Sequence, residues 1–160
     1  MRKMGWSDRA SYAHFLQVQR AARLALEIWA ERFCPSAICP PRQSHLIERD
    51  LVALGVPPSG RVESFAIGEG ANPIGFAWAM AGSSLGNRAI LRDIELHADS
   101  KMTTAFLADP GMIAFWKALR PDLEQPATDL EAAAAARAAA SVFDHFRKAA
   151  AAFAPAEAAA

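Results

Sequence analysis

Charge of one sign is what this chain lacks first: 17 Lys and Arg balance 17 Asp and Glu over 160 residues, with a pI near 6.9. A balanced chain carries no overall field that would steer it to nucleic acid or an acidic membrane surface, and neither is expected as a partner. Cysteine is scarce too. Two residues, Cys34 and Cys39, are too few for a disulfide framework. No run reaches the roughly 18 uncharged apolar residues that span a bilayer. The longest candidate, Pro73 to Leu85, falls short and is followed by Arg88 and Arg92. The basic start MRKMGWSDR has no apolar stretch behind it, so a secretory signal is not expected and a cytoplasmic protein is. Sustained alternation of apolar and polar residues is missing, which argues against half-buried strands. Gly68-Glu69-Gly70 is a lone G-x-G without a flanking strand, and neither a P-loop nor a Gly-x-Ser-x-Gly elbow occurs.

What is present is apolar and helical. Hydrophobic residues make up 52% of the chain and charged ones 21%, a balance that excludes disorder and suits one compact domain. We place that domain at residues 1–155 and expect a frayed, Ala-rich tail at 156–160. From Ser7 to Phe33, Tyr12, Phe15, Leu16, Ala22, Leu26, Trp29 and Phe33 recur at steps of three and four, with Ser7 or Asp8 as the N-cap. Cys34-Pro35 ends that helix. A second helix is expected from Ser44 to Leu54, stopped by Gly55. Residues 55–71, rich in glycine with Pro57 and Pro58, read as a long loop. Asn72-Pro73 then opens a helix to His97 that is apolar all round at first, hence buried, and amphipathic later. Asp109-Pro110 starts a short helix stopped by Pro121. Thr128 and Glu131 form a capping box for a final helix to Phe153. The fold class is all-α.

Gly82-Ser83-Ser84-Leu85-Gly86-Asn87-Arg88 holds the most information about function. Two glycines four apart inside a helix each cost about 1 kcal/mol relative to alanine. Two gains can offset that cost. Tight helix packing uses small residues at this spacing, and a bent helix can lie over a flat ligand.

The segment Phe76–Arg88, FAWAMAGSSLGNR, resembles the distal helix of the heme oxygenase family in its bacterial, bacteriophytochrome-associated branch. Glu48–Gly55, Phe115–Leu119, Ser11–Leu16 and the Ala-rich last helix with Phe143 and Phe146 are similar to parts of the same branch, in the same order. The resemblance implies an all-α protein that sandwiches heme between two helices and opens it to biliverdin, carbon monoxide and iron. It places Gly82, Ser83 and Gly86 on the distal side and Phe143 at the border of the pocket. Lys117, with Arg120 close by, would meet a heme propionate, as cations suit carboxylates.

The chain departs from that pattern. Only eleven residues precede Tyr12, none of them histidine, where the family has a first helix with the proximal histidine. Asn87 replaces the second glycine of a Gly-Gly pair. Without an axial imidazole the iron loses the ligand that sets its electronics. The expectation is therefore a shortened, degenerate member that acts as a regulatory or protein-binding module. Its partner would be a second copy of itself or a signalling protein such as a sensor histidine kinase. The alternatives are an active enzyme with a substitute ligand, for which His14 is the candidate, and a heme or bilin carrier. His45, His97 and His145 read as ordinary surface or hydrogen-bonded histidines. The dipeptides Cys34-Pro35 and Cys39-Pro40 are similar to heme-responsive motifs, but free thiols in a proline-rich turn are the favoured reading.

Overall fold

A computed structural model describes residues 5, 6 and 8–154, and among them every regular element is a helix. Helix α1 spans Arg9–Phe33, and Asp8 is its cap, accepting the Ser11 N–H. Ser7, the other candidate cap, and the tail at 156–160 lie outside the described residues. After Cys34 the chain makes a 3-10 turn at Ser36–Ile38 and enters α2, Ser44–Ala53. Gly55 takes φ +70°, a left-handed conformation that favours glycine, and the Val56 N–H returns to the Leu51 carbonyl.

The expected helix from Pro73 to His97 is a bent one. Helix α3, Pro73–Ser83, passes through a 3-10 turn at Ser84–Gly86 into α4, Asn87–His97. Asn72 caps α3 through the Ile74 N–H. Helix α5, Pro110–Leu123, is capped by Asp109 and runs past Pro121, which was expected to stop it. Pro121 sits in the last turn of an exposed helix face, so the hydrogen bond it forgoes is one that water replaces. Helix α6, Asp129–Ala152, starts with the Thr128–Glu131 capping box.

Helix α1 is the central element. Its Tyr12 hydroxyl reaches Asp50 of α2, while Glu27 near its other end accepts the N–H groups of Gln43 and Ser44, so α2 runs antiparallel to it. Helix α6 is antiparallel to α1 as well: His145 Nε2 lies 3.1 Å from the Ala22 carbonyl, and Phe153 meets His14. The bent helix also runs against α1. Leu26 and Trp29 share a cluster with Phe76 and Met80, and Tyr12 and Ala13 share another with Ile94. Full burial of each large apolar side chain in these clusters is worth roughly 1.5–3 kcal/mol.

Helices α3 and α6 therefore run parallel, and at one point their backbones touch. A Cβ on Gly75 would overlap the Ala135 carbonyl. The Asn72 N–H donates to the Ala134 carbonyl at 3.0 Å just beside it. Helix α5 covers the opposite flank of α3, where Ala77 and Ala81 meet Met112 and Leu119. The loop before α3 is irregular, as expected, but it adds Phe65 and Ile67 to the core.

Candidate functional site

The helical period that buries Tyr12, Leu16, Leu26 and Ala30 also carries position 23 inward, and position 23 is an arginine. Arg23 is 1% exposed. Its Nε donates to Gln19 Oε1 at 3.0 Å, and its two terminal nitrogens donate to Gln43 Oε1 at 2.9 Å and Ser83 Oγ at 2.7 Å. The ring centroids of Phe106 and Phe146 lie 5.0 and 5.5 Å from its Cζ, within cation–π range. Gln43 in turn donates to Asp109 at 3.0 Å. Burial pulls the guanidinium pKa down to about 10, against the opposing pull of Glu27 and Asp109. It stays charged at neutral pH. A cation whose donors are engaged on three sides is a strut rather than a proton carrier.

Ser83 is therefore held from inside the fold. Its hydroxyl accepts from Arg23 and donates to the Met80 carbonyl at 2.6 Å. Gly82 and Gly86 differ: a Cβ built on either meets nothing within 4 Å. Tight helix packing is thus not what these two glycines provide. That role falls to Gly75, whose position in an apolar helix start gave no sign of it. Beside the open glycines, Trp78 is 40% exposed, Leu85 55% and Phe143 47%. Phe143 meets Trp78 edge-on, with ring centroids 6.0 Å apart.

The other expected site residues lie elsewhere. Lys117 and Arg120 are exposed on α5 and line a shallow depression of about 230 Å3 with Pro121 and Glu124. Arg120 is paired with Glu124 at 3.1 Å. His14 is exposed on α1, and its ring contact is with Phe153 at 6.4 Å, not with the bent helix. His45 is exposed, His97 bonds within its own turn to Asp93, and His145 is buried against Ala22.

No protein-family model, curated protein or solved structure matches this chain. Its function is read from its own residues.

Heme is the first group to test against them. A heme site needs an axial ligand, cations for the propionates and a slot for the ring. The structure joins Phe143 to Trp78 and Ser83 to Arg23, but it places Lys117 and Arg120 in a separate depression and His14 on Phe153. Lys117, Arg120 and His14 are thus not brought to the bent helix that carries Gly82, Ser83 and Gly86. For a bare metal ion, as distinct from heme iron, no group of three His, Cys, Asp or Glu side chains comes together among the described residues. Cys34 and Cys39 are free thiols. Burial, with Cys39 beside it, pushes the Cys34 thiol up to about 12, which keeps it protonated and a poor metal ligand.

Arg23 was missed in the sequence because arginine is read as surface. The signal that finds it is position alone: it falls on the same stripe as Leu16 and Leu26.

Proposed function

We propose that this chain is a non-catalytic, heme oxygenase-like helical module that works by binding another protein. One observation carries the reading. Trp78, Leu85 and Phe143 stay exposed beside Gly82 in the last turn of α3 and Gly86 in the 3-10 turn, two glycines with open space above them. Glycine costs up to about 1 kcal/mol at the first and about half as much at the second. No close contact among the described residues offsets that cost, whereas a partner lying against the backbone would. Exposed apolar side chains grouped in this way mark an interaction surface. The resemblance supplies the class of partner, a signalling protein such as a sensor histidine kinase, or a second copy of this chain.

The test is sedimentation of the chain alone and with a bacteriophytochrome-type sensor kinase. Saturable association that is lost in Leu85→Glu and Phe143→Glu is the expected result. A chain that stays monomeric and binds no kinase sinks the proposal. A second reading, a heme or bilin carrier, is favoured by the same open space, because a flat macrocycle also needs bare backbone to lie on. Hemin titration separates the two. A saturable Soret band at one heme per chain, abolished by Gly82→Leu, replaces the first reading with the second.

A further inference from the structure

A groove of about 480 Å3 lies between α3, the C-terminal end of α5 and the first half of α6. That volume falls within the range of roughly 300–1,000 Å3 usual for small-molecule sites. The sequence builds it from small residues. Close approach at Gly75 and Ala135 sets its floor, and Ala132 and Ala136 give α6 a bare wall. The half-exposed indole of Trp78 and the side chain of Leu123 supply larger apolar surface.

Its charged residues are of one sign, beside the neutral Asn72 and Gln125. Asp122 and Glu131 both line the groove, and no Lys, Arg or His does. Glu131 spends one oxygen on the Thr128 N–H and hydroxyl, and the other is left over. The Asp122 carboxylate has no hydrogen-bond or ion-pair partner among the described residues. Gln125 donates to the Pro121 carbonyl, which leaves its own carbonyl oxygen to accept. Two carboxylates, an acceptor amide and an exposed indole face, around an apolar trough, complement a cation with an apolar body.

We infer that this groove binds a small hydrophobic organic cation, an amine or quaternary ammonium. Its body lies on the alanine wall and Trp78, and its charge sits near Asp122 and Glu131. The site does not rest on the protein-binding reading. The two share Trp78, but the protein-binding reading is tested at Leu85 and Phe143, neither of which lines the groove.

The experiment titrates the full chain, labelled with 15N, with benzyltrimethylammonium. Benzenesulfonate and benzyl alcohol serve as the anionic and neutral counterparts. The indole N–H resonance of Trp78, assigned through Trp78→Phe, is the readout. Saturable binding with a dissociation constant on the order of millimolar is expected for the cation and for neither counterpart. Asp122→Asn, with its fold checked by circular dichroism, should weaken it by about tenfold, and Leu85→Glu should leave it unchanged. The inference is overturned by any of three results: no saturable binding of the cation, equal binding of benzenesulfonate, or unaltered affinity in Asp122→Asn.

Discussion

Three glycines of one bent helix should respond to the same substitution in opposite directions. Gly82→Ala gains helix propensity of about 1 kcal/mol, and the new methyl group meets no neighbour within 4 Å. Gly86→Ala should gain less, about half as much, because Gly86 closes a 3-10 turn where alanine's advantage is smaller. Neither position has a positive φ, so no backbone strain opposes the change. At Gly75 the added Cβ runs into the carbonyl group of Ala135, which is backbone and cannot swing aside. Helices α3 and α6 must separate there, which stretches the bond from the Asn72 N–H to the Ala134 carbonyl. Overpacking of this kind costs about 1–3 kcal/mol. After the propensity gain, a net loss of up to about 2 kcal/mol remains. Urea unfolding reads all three. With a slope of about 2 kcal/mol/M, the midpoint rises by roughly 0.5 M in Gly82→Ala and falls by up to roughly 1 M in Gly75→Ala. A lower midpoint in Gly82→Ala at unchanged slope refutes the claim that this face is open. On the proposed protein-binding reading, the stabilised alanine variants should also bind the partner more weakly, since the methyl groups would stand in the open space above the helix.

Arg23→Met leaves the buried acceptors of Gln19, Gln43 and Ser83 without their donor and should cost about 1–3 kcal/mol by urea unfolding; near-native stability would show that the network contributes nothing. His145 gives a pH dependence. Burial holds its imidazole below the ordinary value of 6.5, so the folded chain resists a proton that the unfolded chain accepts. Stability should therefore drop as pH falls from about 6.5 toward 5, and unfolding midpoints of His145→Gln should show a shallower drop over the same window. An identical drop in that variant assigns the effect to other groups. In Cys39→Ser, the Cys34 thiol should react with an aromatic disulfide reagent at least a hundredfold more slowly when folded than in urea, because burial keeps it protonated. Equal rates contradict that burial.

Periodicity and end signals made most of the fold legible. The stripe from Tyr12 to Trp29, the stop at Gly55, the Asn72-Pro73 start and the Thr128 capping box all fall where the structure puts them. Pro121 misled because a proline in the final exposed turn of a helix forfeits little. Phe65 was hidden by its loop: glycine and proline mark irregular backbone but do not say which side chain turns inward. The site was less legible. Gly82 and Gly86 stood out by spacing, yet spacing alone could not tell a glycine that admits a neighbouring helix from one that faces open space. Gly75 drew no notice in a short apolar run, and its partner Ala135 is sixty residues along in a monotonous alanine helix. Arg23 required reading a charged residue as an interior one, which is justified only when its partners, scattered from Gln19 to Asp109, are brought together.

That scatter has a consequence for how the chain assembles. Ser83 is 60 residues from Arg23, and Asp109 is 66 from Gln43. No hairpin of neighbouring helices can complete the set, so the contacts of the guanidinium should form after the rate-limiting step and speed unfolding, not slow folding, when they are removed. A chain ending before Asp109, as during synthesis, has the arginine but not the carboxylate that Gln43 relays to it. Such a fragment already holds the three acceptors of Arg23, so what Asp109 adds on arrival is the carboxylate that fixes the Gln43 amide in place.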